Sequence, residues 1–548
     1  EDVIDLALNW LEGEKGKNFF LFVHLYDPHS PYDPPPPFDK KYAHDLYLGE
    51  VAYADSQLGR LWKYLKNKEL LEKTIVVFCS DHGESLGEHG EATHGFFAYQ
   101  EGIHVPLIFV LPFAQFQNLS SKETVSLVDI MPTLLEMAKI PIPSQVQGKS
   151  LIPYFAGSRR DSFAYSETYY ARFHYGWSEV RSIQNSRYKL ILSPQREVYD
   201  LVDDPEEEKD IATREPRIAT QLEKKLKSFL ERYSQGGFKR DSRRLDEETQ
   251  EKLASLGYIG TFIETGKIME KVLPSPREKI KIFNQMSLAK ELSLAGKLED
   301  AQKIMMKVIQ EEPEIIDAYF VLGNIFFKQK NYPEAIKWLS EALERKPDYD
   351  FVILNMAISY IEMNDLDKAE AILARFISRF EADSLLYLTL GDINLKQEDY
   401  PQAIKYLEEC LRLNPLSPQA HNSLARVYII LDNAEKALFY ALKAKELSQE
   451  LRNLHYNLAQ IYELKGELLR AEAEYLAEIE TYPDNFNASF NLALLYRRMK
   501  DDLKEELFLK KTIETNPRFP LGYLFLGELY SGKEALEEKA ISHLEQAL

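Results

Sequence analysis

The chain has 548 residues, 45% of them hydrophobic and 28% charged, with a formal net charge of −20. That length gives several domains with ample core, and the acidic balance excludes a nucleic-acid binder or a protein drawn to acidic membrane surfaces. Two isolated cysteines, Cys79 and Cys410, exclude a disulfide framework, and no apolar stretch is long enough to span a bilayer.

The first element is a helical stretch with apolar positions at Val3, Ile4, Leu6, Ala7, Trp10 and Leu11. Residues 18–26, Asn-Phe-Phe-Leu-Phe-Val-His-Leu-Tyr, carry an apolar strand pattern, and prolines follow at 28, 31, 34, 35, 36 and 37. Proline forbids a helix there and holds the exit loop extended. His29, between Pro28 and Pro31, then loses little freedom on meeting an anionic substrate.

Val51, Ala54, Leu58, Leu61, Trp62 and Leu65 form a stripe at helical spacing that reads as core. The run 74–80, Thr-Ile-Val-Val-Phe-Cys-Ser, reads as a buried strand, and Asp81-His82-Gly83 sits at its end, followed by Glu84, Glu88, His89, Glu91 and His94. Strand exits are where an α/β sheet builds its active site. A carboxylate and an imidazole side by side suit a divalent cation, and the glycine lets the backbone turn so that both point the same way. Seven of the eleven histidines lie at 24, 29, 44, 82, 89, 94 and 104, a density that an ordinary polar turn does not explain. A further apolar run spans Val105 to Leu111, and Ser126 with Asp129 resembles a capping pair for a helix from about 127 to 138.

From 162 to 201 the pattern changes to short strands at 163–167, 180–183, 187–192 and 197–201, with Gln184-Asn185-Ser186 as a hairpin turn. A helix at 217–233 follows, with Ile218, Leu222, Leu226, Phe229 and Leu230 on one face. Tyr169, Tyr170, Arg172, His174 and Trp177 occupy an aromatic loop that either borders a substrate pocket or anchors a partly buried turn. The polar stretch 234–250 reads as linker, and Pro274-Ser275-Pro276 marks another boundary. The expected division is an α/β core over 1–160, a small antiparallel β subdomain with a closing helix over 161–234, a linker over 235–282 and an all-α repeat array over 283–548.

The repeat is read by counting. Small residues recur at Ala289, Gly323, Ala357, Gly391, Ala425, Ala459, Ala493 and Gly527, each 34 after the last. Ala301, Ala335, Ala369, Ala403, Ala437 and Ala471 follow twelve residues on, and Pro313, Pro347, Pro415, Pro483 and Pro517 twelve beyond those positions. This resembles the tetratricopeptide repeat, about eight units with the last cut off, and the resemblance implies a solenoid with a groove for a protein or peptide. The fifth position of each unit reads Phe320, Leu354, Leu388, Asn422, Tyr456, Phe490 and Leu524. None is basic, so a clamp for a carboxylate tail is absent. Apolar anchors for a peptide and packing against the next repeat are both open readings.

The segments around His29, the helix 47–60 and Ser80-Asp81-His82-Gly83-Glu84-Ser-Leu-Gly-Glu88-His89-Gly90 together resemble the type I sulfatases of the alkaline-phosphatase-like superfamily, as do Val105-Pro-Leu-Ile108 and Val128-Asp-Ile-Met-Pro-Thr-Leu-Leu135. The resemblance implies metal ligation by Asp81 and His82. It places His94 where relatives hold the transferred sulfuryl group with a cation, and His29 against the sulfate and the leaving oxygen. Imidazole at position 94 in place of the usual lysine makes sulfate binding more sensitive to pH, because imidazole titrates near neutrality. One divalent metal ion is implied; the family favours calcium, whereas imidazole ligation leaves zinc or manganese open.

The departure from the family is that neither C-x-P-x-R nor S-x-P-x-R, the source of its formylglycine, occurs in the sequence, and the usual Asp-Asp metal pair is missing as well. The expectation is a chain carrying the second half of a sulfatase core, with no nucleophile of its own and inactive alone, the formylglycine lying in a preceding part. The alternatives are a phosphoethanolamine transferase or phosphodiesterase of the same superfamily, and a non-catalytic repeat scaffold with a relic sulfatase half. The family leans towards extracytoplasmic sites of action.

Overall fold

The apolar positions of the first segment form α1 (Asp2–Gly13), with Ile4, Ala7 and Leu11 turned inwards against α2 (Leu46–Asn67). Asp45 caps α2 by accepting a hydrogen bond from the Leu48 amide at 3.0 Å, and Arg60 pairs with Asp5 across the two helices. In this computed structural model, residues 2–14, 16–112, 119–157, 162–233, 273–380, 382–448, 450–531 and 537–547 are described. They fall into two units, one of residues up to 233 together with 273–321, the other of residues from 322 onwards. Most of the expected linker lies outside the described residues.

The α2 stripe is less buried than its spacing implies. Leu65 is 7% exposed, but Val51 and Trp62 are 38% and 42% exposed. Helical spacing reports that one face is apolar, and only a packed neighbour makes that face core. The run 18–26 departs further, being irregular chain rather than strand, with Phe20 and Phe22 80% and 78% exposed. Among the described residues no strand pairs with it, so neither its backbone groups nor its alternate side chains gain what a sheet provides.

β1 (Val76–Cys79) pairs antiparallel with β2 (Leu107–Val110), with Val76 opposite Val110 and Cys79 opposite Leu107. Phe78 and Ile108 are 42% and 52% exposed, so β1 is half-covered rather than buried on both faces. α3 (Ile130–Met137) follows the capping box of Ser126 and Asp129, as the sequence suggests.

The second sheet is antiparallel in the order β3 (Ala164–Thr168), β4 (Val180–Gln184), β5 (Tyr188–Ser193), β6 (Gln195–Asp200). α4 (Tyr170–Tyr175) sits in the β3–β4 connection. α5 (Pro216–Tyr233) lays Ala219, Leu222 and Leu226 over Ile183, Leu190 and Val198, the closing helix expected from its apolar face.

The repeat helices begin with α6 (Pro276–Leu294), α7 (Leu298–Glu311) and α8 (Ile316–Lys328), and continue as helix pairs to Glu537–Ala547. The period-34 alanines are fully buried from Ala289 to Ala493, as are those of the second set from Ala301 to Ala471. Small side chains there let paired helices approach, and Leu322, Leu390, Leu424, Leu458 and Leu492, all fully buried, fill the seams.

Two backbone devices recur with the same period. Gly296, Lys330, Asn364, Glu398, Asp432, Gly466 and Lys500, each 34 after the last, have φ between 52° and 75°. A left-handed residue ends a helix by turning the chain so that the last carbonyls find partners. The next residue then caps the following helix: Asn331, Asp365, Asp399, Asn433 and Asp501 each accept from an amide three residues on.

Candidate functional site

The turn after β1 is fastened by its own polar groups. Ser80 Oγ donates to the His82 carbonyl at 2.5 Å, and the His82 amide donates to Asp81 Oδ1 at 3.0 Å. His82 Nδ1 lies 2.8 Å from the Gly83 carbonyl, which only accepts, so Nδ1 carries the proton and Nε2 offers its lone pair. That lone pair stands 3.8 Å from Asp81 Oδ2. Gly83 is required by close approach: its amide donates to the Gly102 carbonyl at 2.9 Å, and a Cβ there would meet the Glu101 carbonyl oxygen at 1.9 Å.

His29 enters from the proline loop. Its Nδ1 contacts the Ser30 carbonyl at 2.6 Å and the Tyr26 hydroxyl at 2.8 Å, while Nε2 is buried without a hydrogen-bond partner. Burial lowers the His29 pKa, the Ser30 carbonyl opposes this, and the neighbouring His94 lowers it further. Glu50, 3% exposed on α2, holds the loop by accepting from the His29 amide at 2.9 Å and the Asp33 amide at 2.7 Å. Burial pushes its carboxyl upward and the two amides pull it back.

His94 joins both segments. Its ring stacks on His82 with centroids 4.1 Å apart and meets His29 edge-on at 5.1 Å. Its Nδ1 is 3.2 Å from both carboxylate oxygens of Glu84, whose side chain is 6% exposed. Tyr32 stands beside the same carboxylate, and burial followed by that negative charge drives its phenol far above the ordinary range. Asp81, His82, His94 and His29 are thus brought to one place, with Glu84 and Glu50 as partners that the sequence reading did not single out.

The loop between His82 and His94 is built on backbone exceptions, with φ of 118° at Gly87, 50° at His89, 82° at Gly90 and 89° at Gly95. Inside it, Glu91 is 2% exposed and accepts from the Phe96 and Phe97 amides at 2.7 and 3.1 Å. Burial pushes its carboxyl up to about 7, against the pull of those amides.

Behind the turn lies a second polar cluster. His89 Nε2 is 3.6 Å from Glu101 Oε1, and ligand atoms of His89, Glu101 and Glu207 lie within 4.8 Å of one another, close enough to hold a cation. The buried ammonium of Lys189 is already there, 2.8 Å from Glu207 Oε1 with both side chains fully enclosed. Glu207 also accepts from the Gln100 amide at 2.6 Å, so the pair ties the second sheet to the segment against which Gly83 packs.

Arg172, His174 and Trp177 lie apart from the three imidazoles' contacts. Arg172 and His174 are 7% and 8% exposed, and His174 Nδ1 is 2.8 Å from Asp317 Oδ2. Trp177, 2% exposed, packs edge-on against Phe96 at 5.9 Å and on Tyr175 at 4.6 Å.

Asp81 and His82 fit a divalent cation as two of its ligands. The carboxylate oxygen and the imidazole Nε2 are 3.8 Å apart, a separation that one ion can bridge, and the Gly83 carbonyl fixes the imidazole tautomer, as such ligands require. Among the described residues no third ligand of that ion is assembled with them; the one three-residue group is that of His89, Glu101 and Glu207.

In the repeats, three fifth-position residues are taken up by packing. Leu354, Leu388 and Phe490 are 7%, 6% and 8% exposed, and Phe490 meets Phe519 and Phe525. Asn422 instead receives the Asn457 amide at 2.8 Å, and the Tyr456 hydroxyl receives the Asn491 amide at 2.9 Å, so polar bonds also link neighbouring repeats.

Residues 1–140 match the sulfatase family profile, and 87–235 match the profile described as N-sulphoglucosamine sulphohydrolase, C-terminal. Tetratricopeptide repeat profiles match 316–349, 351–381 and 388–450. Arylsulfatase K of Bos taurus is 32% identical over 201 residues, which cover 34% of this chain and 36% of the relative. N-acetylglucosamine-6-O-sulfatase of Bacteroides thetaiotaomicron is 32% identical over 180 residues, covering 30% of this chain and 31% of the relative. The chain therefore spans about a third of the length of these curated relatives. Among solved structures, a sulfatase-like protein, yidJ of Bacteroides fragilis, is 23% identical with a TM-score of 0.39, covering 42% of this chain and 58% of that one. A tetratricopeptide repeat protein of Parabacteroides merdae is 16% identical with a TM-score of 0.38, covering 48% and 98%. No helix among the described residues is long and apolar enough to cross a membrane. The N-terminal half of this chain carries sulfatase-type segments, and tetratricopeptide repeats follow them.

Proposed function

We propose that this chain supplies the metal- and sulfate-binding side of a sulfuric ester hydrolase, joined to repeats that recruit a protein or peptide partner. Asp81 and His82 hold one divalent cation. His94, oriented by Glu84, grips the sulfuryl oxygens, and His29, once a bound anion has drawn a second proton onto the ring, donates from Nε2 to the sulfate or the leaving oxygen. The observation that carries this reading is the convergence of the three imidazoles at the end of β1, with His29 Nε2 buried and lacking a partner that an anion would supply.

A bound cation would draw charge from the sulfuryl oxygens, and these side chains orient the ester beside it. Calcium follows from the family resemblance, while the His82 imidazole suits zinc or manganese. Arg172 and His174 on α4, and Trp177 just after it, support the pocket from behind without touching the three imidazoles. The formylglycine source motif is absent from the 548 residues, so these residues by themselves bind the anion and metal without turning an ester over. The partner's place is the repeat groove, with Tyr456 and Leu524, both partly exposed, as anchors.

Calorimetric titration of the chain with calcium, zinc and manganese tests the assignment. Asp81→Asn is expected to weaken binding of the preferred ion by at least roughly tenfold, since one of its charged ligands is lost. An unchanged affinity removes Asp81 from the site.

A further inference from the structure

The first repeat helix contacts both segments that carry the site histidines. Ile280, Phe283, Asn284 and Glu291 are spaced i, i+3, i+4 and i+11, one face of α6. Asn284 Nδ2 donates to the Gly90 carbonyl at 2.6 Å, and Ile280 lies over the same glycine, where a Cβ would stand 3.7 Å from its side chain. Phe283 stacks on the fully buried Phe96 with centroids 4.4 Å apart and planes 17° apart. About two helical turns further on, Glu291 Oε1 accepts from Ser30 Oγ at 3.4 Å. Phe96 is two residues after His94, and Ser30 follows His29.

Nor is α6 loosely attached. Phe283 and Met286 are 4% and 0% exposed, Arg277 pairs with Glu197 at 2.9 Å, and the Ser178 amide donates to the Pro274 carbonyl at 3.0 Å. Asp317, at the start of α8, receives His174. The loop it supports needs such help. Four left-handed residues deny it a regular ladder, and its internal backbone bonds are few, chiefly Ser85 to Thr93 and Gly87 to Glu91, each 3.0 Å. An irregular loop of that kind opens locally unless fixed from outside.

We propose that Asn284 and Phe283 of α6 are positioning residues for the His94 loop, so that the first repeat is a working wall of the sulfate site rather than the start of an independent module. The part of this that concerns sulfate rests on the reading of His29 and His94 given above; the support of the loop does not.

The experiment is hydrogen–deuterium exchange on the full chain, with sulfate affinity measured by titration with inorganic sulfate. Asn284→Asp keeps the size of the side chain and removes the donor. It is expected to raise exchange across residues 87–97 by about tenfold, the equivalent of one lost hydrogen bond, with β5 and β6 unchanged and sulfate affinity lowered. Asn284→Gln, which retains a donor, is expected to recover part of the protection. Phe283→Leu is expected to act more strongly, and the exposed Leu288→Ala on the same helix not at all. Unchanged exchange at 87–97 in Asn284→Asp overturns the proposal, as does a rise spread evenly over the N-terminal unit, and this variant decides the matter if Phe283→Leu unfolds. Sulfate binding that is equal in wild type and Asn284→Asp despite a loosened loop overturns the functional half. A wild-type chain that binds no sulfate overturns the sulfate reading and leaves the exchange data to judge α6 alone.

Discussion

The two units hold their chains in opposite ways. In the N-terminal unit each important contact occurs once, such as Gly83 against the Glu101 carbonyl or Lys189 inside a carboxylate cluster. In the repeats the same contact returns every 34 residues, so any one position has been solved several times over. Gly391 shows the difference. A Cβ there would come within 2.6 Å of the Leu407 side chain, yet the sister position Ala357 already carries one, with the buried Leu373 sixteen residues on. Unique contacts are brittle, and repeated ones come with their own remedies.

Substitutions sharpen that contrast. Lys189→Met should have the largest effect, about 4 kcal/mol of destabilisation, because it leaves the buried Glu207 carboxyl, which burial already pushes towards its neutral form, without its partner. Lys189→Met with Glu207→Gln should recover much of the loss, and thermal unfolding measures both. A loss below about 1 kcal/mol for the single variant would mean that the pair is not sealed from water as its enclosure indicates.

Glu91 should make the N-terminal unit sensitive to pH. Its folded pKa of about 7 lies above the ordinary 4.5, so the folded state keeps the proton after the unfolded chain has released it. The associated stability is fully present below about pH 4.5 and is lost as pH rises through about 7, by an amount on the order of 3 kcal/mol. Glu91→Gln cannot titrate. It should flatten melting temperature against pH across that window, and a profile identical to wild type would rule the carboxyl out as the cause.

Gly83→Ala should cost about 2 to 3 kcal/mol, since the new methyl meets a backbone carbonyl, whereas Gly391→Ala should cost about 1 kcal/mol, since a leucine yields and alanine favours the helix. Equal losses would break the comparison between the units. The smallest expected effect is a gain. Glu398→Gly relieves a left-handed residue at φ 63° and should stabilise the repeats by about 0.5 to 1 kcal/mol, read from denaturant unfolding.

What could be read from the sequence follows the same divide. The repeats were legible because buried alanines and leucines recur at a fixed interval, and the small sheet because its strands alternate between turn residues. The cluster of His29, His82 and His94 was signalled by histidine density beside a strand end. Glu50 gave no signal, since it lies near the start of a helix, 21 residues from the His29 amide it holds. Lys189 and Glu207 are joined only by the folded sheet and its following loop. The strand pattern at 18–26 misled because alternation describes a side chain's preference, and pairing depends on a neighbour. The left-handed joints at Lys330, Glu398 and Lys500 passed unnoticed because residue type does not announce them; the helix ends around them impose the conformation.

The seating of α6 bears on how such a protein can be rearranged. A gene fusion that joined foreign repeats directly behind residue 233 would leave the rings of Phe96, Tyr170 and Tyr175 uncovered on one partner, and the ring of Phe283 and the thioether of Met286 on the other. Modular exchange of repeats would therefore have to begin beyond the start of α8, with the chain from Pro276 to Asp317 inherited as part of the host and later repeats free to be lengthened, shortened or replaced.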